Sequence, residues 1–219
     1  MSSARIVPCD EFDRHFDAIN LAIFAREPFF TIAKLHNVPA IADRAWSFVP
    51  IPFDIRIDTR PSPDDRPDWP VAADPFRYRD EYEPFFALLR RRRESEIVLT
   101  TRPHFVDSAV PILGCFPDRD CLESALDLGL RDEPSAINVF SEAADWGLCS
   151  NGEHDGYSVI AGTEAFMTDL IVSYGGLESI KRRFWEFWTK YHRCPIADDQ
   201  NWCKDWRALG WDVVPTAWP

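Results

Sequence analysis

Long apolar runs are missing from this chain of 219 residues. The longest stretch without Asp, Glu, Lys or Arg is ten residues, Ser108 to Pro117. A bilayer-spanning helix needs about 20 apolar residues, so none is expected here. The N-terminus, MSSARIVPCDEFDRHFD, has no apolar centre of the signal-peptide kind and acquires charge at once. These absences point to a cytoplasmic protein with no membrane partner. Catalytic and cofactor signatures are missing too. There is no CxxC, no HExxH, no GxSxG elbow, no GxGxxG and no GxxxxGK[ST]. No metal or nucleotide cofactor is therefore expected, and no internal repeat is visible.

Six cysteines are present: Cys9, Cys115, Cys121, Cys149, Cys194 and Cys203. With no signal peptide and a composition that is 46% hydrophobic and 14% aromatic, a large core makes disulfides unnecessary. The cysteines are read as free thiols, mostly small buried hydrophobes.

The formal net charge is −12, and its distribution is uneven. Residues 1–60 carry a net −1, residues 61–100 a net −2, residues 101–180 a net −11 and residues 181–219 a net +2. A field of that kind repels nucleic acid and anionic lipid and attracts a cationic partner. It also serves solubility with no partner at all.

Periodicity organises the chain. Phe12, Phe16, Ile19 and Ile23 recur at helical spacing from Asp10, and Glu27-Pro28 should end that helix. Ile51, Phe53, Ile55 and Ile57 alternate as in a half-buried strand, and Pro52 places it at an edge or at a strand start. Five prolines between Pro61 and Pro75 mark a loop over residues 60–80. Tyr82, Phe85, Phe86 and Leu89 form one stripe of a helix that closes on Arg90 to Arg93, where the arginines complement the helix dipole. Strands are expected at Ile97–Leu99, at Val110–Cys115 and around Ile137–Phe140. Between the second and third of these, Asp118 or Asp120 opens a short helix that Gly129 stops. Asp120 with Glu123 resembles a capping box. The expected class is α+β, a single domain with a mostly antiparallel sheet packed with several helices.

Residues 144 to 171 concentrate polar chemistry. Trp146–Cys149 and Tyr157–Ala161 are short apolar runs, and the segment Ser150 to Gly156 between them is rich in turn formers. That reads as a β-hairpin. Thr163 then caps a helix with Phe166, Met167, Leu170, Ile171 and Tyr174 on its buried stripe, ended by Gly175-Gly176. The catalytic alternative makes Cys149 a nucleophile, His154 its base and Asp155 the orienter. Adjacent residues in one loop orient each other poorly, so the hairpin reading is simpler. The pairs Glu11/His15 and His104/Asp107 read as local surface interactions rather than metal ligands.

After Leu177, Ile180, Phe184, Phe187, Trp188 and Tyr191 follow at helical spacing, and Trp202, Trp206, Trp211 and Trp218 lie beyond. The tryptophans are expected to cap the core, with an exposed interaction surface as the alternative.

The passage from "DWGL" through "VIAGTEAFMTDLI" to the double glycine resembles a pattern in immunity proteins of bacterial polymorphic-toxin systems, over about residues 140 to 190. The resemblance implies a small cytoplasmic binder that neutralises a cognate toxin, and it assigns no functional residue. Together with the charge, it makes a basic protein toxin the expected partner. The candidate contacts are Asp118, Asp120, Glu123, Glu142, Asp145, Glu153 and Asp155, with Trp146 as the choice of apolar anchor among them, although a core role suits that residue better. A hydrolase or transferase built from scattered Cys, His and carboxylates, and an adaptor pairing through the tryptophan-rich tail, are the rival readings.

Overall fold

A computed structural model describes residues 4–26, 29, 46–52, 81–101, 110–130, 136–150 and 157–192. Strand β1 (Arg5–Val7) leads into helices α1 (Cys9–His15) and α2 (Asp17–Phe24), and strand β2 (Trp46–Pro52) follows. Then come α3 (Glu83–Arg91), β3 (Ile97–Thr100), β4 (Ile112–Cys115), α4 (Arg119–Asp127) and β5 (Ile137–Phe140). The chain continues through β6 (Trp146–Ser150), β7 (Tyr157–Thr163), α5 (Glu164–Ser173) and α6 (Leu177–His192).

The seven strands form one sheet in the order β1-β4-β3-β5-β6-β7-β2, and every pairing is antiparallel. Consecutive strands β5, β6 and β7 make a meander, and β3 pairs both β4 and β5. The two N-terminal strands close opposite edges. Pro50 and Pro52 lie in the edge strand β2, where a missing N–H costs the ladder little. The expected α+β class with an antiparallel sheet is what the protein has. The strand expected from Ile51 to Ile57 begins earlier, at Trp46, and residues 53–57 lie outside the described residues, as does the proline-rich loop.

Both faces of the sheet are covered, so its central strands are continuously buried rather than alternating. On one face, Ile97, Leu99, Leu113, Cys115, Ile137, Val139, Trp146, Leu148 and Ile160 join α3, α4 and α5 in the main core. On the other, α2 approaches so closely that a Cβ at Gly147 would stand 2.5 Å from Ile23 and 3.1 Å from Phe24. Phe16 and Phe24 both meet the edge of the Phe140 ring there. The single helix expected from Asp10 is two: the backbone breaks at Phe16 (φ −116°, ψ −26°). The break keeps Phe16 on Phe140 while α2 brings Ile23 and Phe24 onto β6.

Helix ends follow local chemistry. Asp118 caps α4, its carboxylate accepting from Cys121 N at 2.9 Å, so the cap lies at Asp118 rather than in an Asp120–Glu123 box. Thr163 caps α5 by accepting from Phe166 N at 3.4 Å. At the end of α5, Gly175 takes φ +79°, and Gly176 N returns to Ile171 O at 2.8 Å. This is the left-handed closure that glycine permits at little cost.

Candidate functional site

Antiparallel register decides which candidate residues share a place. Val98 pairs with Phe140, Ile97 with Cys115, Phe140 with Gly147, and Trp146 with Gly162. The chain therefore leaves β4 toward Asp118, Asp120 and Glu123 at the same end of the sheet as the β5–β6 turn with Glu142 and Asp145. Arg90 to Arg93, which precede β3, arrive at that end too. Five acidic candidates thus belong to one end of the sheet. Glu153 and Asp155 lie outside the described residues. The chain departs toward them from Ser150, at the opposite end of β6, about 14 Å along the strand from Trp146 at 3.4 Å per residue.

The five differ in what they do. Asp118 is half-buried and spent on its cap. Asp120 and Glu142 are exposed, and Glu123 is half-buried on α4. Asp145 forms an ion pair with Arg92, whose guanidinium also reaches Asp169 at 3.6 Å and lies over the Phe166 ring, 5.3 Å from its centroid. Only 22% of the Asp145 side chain and 27% of the Arg92 side chain are exposed. One contact joins them, and Arg92 Nε and Asp145 Oδ1 are buried without a hydrogen-bond partner among the described residues. The acidity assigned to Asp145 from sequence windows is therefore offset locally by an arginine from another window.

Trp146 takes the core role rather than that of an anchor for a partner. It is fully buried, stacked on Phe166 at 5.7 Å and edge-on to Phe85 at 5.2 Å, with Nε1 donating to Glu94 at 3.4 Å. Parity explains this, since Trp146 and Leu148 point into the main core. Exposing it would forfeit packing worth roughly 3–5 kcal/mol.

Arg93 and Ala144, at φ +63° and +57°, are the described non-glycine residues in left-handed conformation. They adjoin the two partners of the Arg92–Asp145 pair. Sequence reasoning missed both, because nothing in a lone Arg or Ala signals that backbone.

Cys149 of the catalytic alternative is fully buried. It shares the parity of Gly147, facing the α1–α2 side, and His154 and Asp155 lie outside the described residues. Cys115, at the end of β4, has its thiol pushed up by burial. Cys121 is raised by burial and then by Asp118. Neither has the thiolate character of a nucleophile. Among the described residues no group of three or more His, Cys, Asp or Glu is placed to hold a metal, and no helix is long and apolar enough to cross a membrane.

A second charged cluster ties down the β1 edge. Arg5 donates to Glu96 at 2.7 and 2.9 Å and to Glu11 at 2.7 and 3.1 Å. These bonds hold the Glu11 carboxyl below its usual range. The cluster joins β1, α1 and the start of β3 and reads as a structural clamp.

No protein-family model matches the chain, and neither a curated protein nor a solved structure matches it.

Proposed function

We propose that this protein is a stoichiometric inhibitor of the immunity type, acting in a bacterial cytoplasm, which binds a cationic toxin through carboxylates at one end of its sheet. The observation that carries the reading is the convergence of the first turn of α4 and the β5–β6 turn on that end, with Asp120 and Glu142 exposed. The net −11 of residues 101–180 supports it, because long-range attraction speeds encounter with an oppositely charged protein. Asp120 and Glu142 are the primary contacts and Glu123 assists. Asp118 and Asp145 hold the scaffold that presents them.

The test uses the product of a neighbouring reading frame as the binding partner. Asp120→Lys with Glu142→Lys should slow its association at low salt by about tenfold or more and flatten the salt dependence. Unchanged association kinetics in a folded double variant would remove this surface from the account.

A further inference from the structure

We propose that Arg93 is a specificity contact at this end of the sheet: it pairs with a carboxylate of the protein partner and turns away partners that are merely cationic. The inference rests on the binding reading above and adds the partner's chemistry at one point.

Three of the four consecutive arginines have work within the fold. Arg90 bonds Glu83 and the Pro117 carbonyl, Arg91 donates to Ser173 Oγ at 2.7 Å, and Arg92 holds Asp145 and Asp169. Arg93 is exposed and makes no side-chain hydrogen bond or ion pair with any described residue.

Its backbone does have work, of a kind that glycine does better. Arg93 N returns to Arg90 O and Glu94 N to Leu89 O, each at 3.0 Å, which closes α3 with Arg93 left-handed at φ +63°. The corresponding position closing α5 is Gly175, and the one closing α4 is Gly129. A side chain at such a position is strained, and strain of this kind clusters at functional sites. An arginine whose side chain, beyond complementing the dipole of α3, bonds to no described residue is explained by what it meets outside.

Its surroundings give it a use. A purely acidic surface attracts any polycation, and charge alone does not discriminate. A cation at the same end of the sheet as those carboxylates penalises a uniformly basic partner and rewards one presenting an acid there. Specificity of this kind needs a repulsive element as well as an attractive one. The Arg92–Asp145 ion pair sets the neighbouring Arg93 beside the β5–β6 turn that carries Glu142.

The experiment has two arms, run with Arg93→Gly, Arg93→Gln and the equal-charge control Arg182→Gln on α6, which is also exposed. A deca-lysine peptide is the first probe. Arg93→Gln should bind it several-fold tighter than Arg182→Gln does. Equal tightening in the two variants would overturn the repulsive half of the proposal. The second probe is the toxin-frame product. Arg93→Gly should raise the Tm of the free protein by about 2–4 °C while weakening binding about tenfold. A stabilised variant that binds as tightly as wild type would overturn the attractive half. If wild type itself binds no toxin, and the Asp120→Lys/Glu142→Lys variant binds deca-lysine as wild type does, the binding reading fails and this inference with it.

Discussion

Asp145→Ala removes one partner of a pair that spans three elements: the end of α3, the β5–β6 turn and, through Asp169, helix α5. Breaking a fully buried pair from one side costs about 3–5 kcal/mol, and an exposed pair is worth about 0.2–1 kcal/mol. With roughly a quarter of each side chain exposed, and with Asp169 ready as a substitute at 3.6 Å, the loss falls between those limits. We expect about 2 kcal/mol for Asp145→Ala by urea unfolding. Arg92→Met keeps apolar contact with Phe166 but loses the cation over its ring, a contribution of about 0.5–1 kcal/mol, along with the ion pair. The double variant should be less destabilised than the sum of the singles by about 1 kcal/mol or more, because residues in direct contact couple. Additive singles of under about 0.5 kcal/mol each would place the pair among ordinary surface charges. They would also return Asp145 to the set of carboxylates free to meet a partner.

Thiol reagent applied to folded protein should modify exposed Cys9 at once, and Cys115 and Cys149 only on unfolding, by time-resolved mass analysis. Rapid labelling of Cys149 in the native state would contradict its enclosure under α1–α2. The Glu11 carboxyl, held low by its bonds to Arg5, contributes stability that is complete above its usual value of 4.5. That contribution is lost as pH falls through the depressed folded value. Thermal midpoints measured down an acid series should therefore fall more steeply for wild type than for Arg5→Met, and equal slopes would dissolve the clamp.

Much of the fold was legible because its local signals and its tertiary demands agree. The β6–β7 hairpin, the Thr163 cap, the glycine closure of α5 and the Phe85–Phe86–Leu89 stripe follow from periodicity and capping chemistry, and each stands where the sequence places it. The break at Phe16 was not legible, since Phe12, Phe16 and Ile23 keep a helical spacing right through it. What bends the helix pair is the sheet below, a partner more than a hundred residues away. The same distance explains the site. Summing charge over windows of sequence put Asp145 in an acidic block, whereas folding sets Arg92 against it. Likewise Trp146 beside Asp145 resembles an anchor among carboxylates, until strand parity turns the indole inward and Arg92 takes up the neighbouring carboxylate. Only register reveals that Asp120 and Glu142 share one end of the sheet while the chain leaves for Glu153 and Asp155 from the other.

The central claim is that this end of the sheet recognises a cationic protein. Its most direct test is the association rate of the purified protein with the toxin-frame product at low and high salt, wild type against Asp120→Lys/Glu142→Lys. The wild-type rate should be fast and salt-sensitive and should drop by about tenfold or more in the variant at low salt, the two rates converging as salt rises. Equal rates at both salt concentrations, with the variant fully folded, would contradict it.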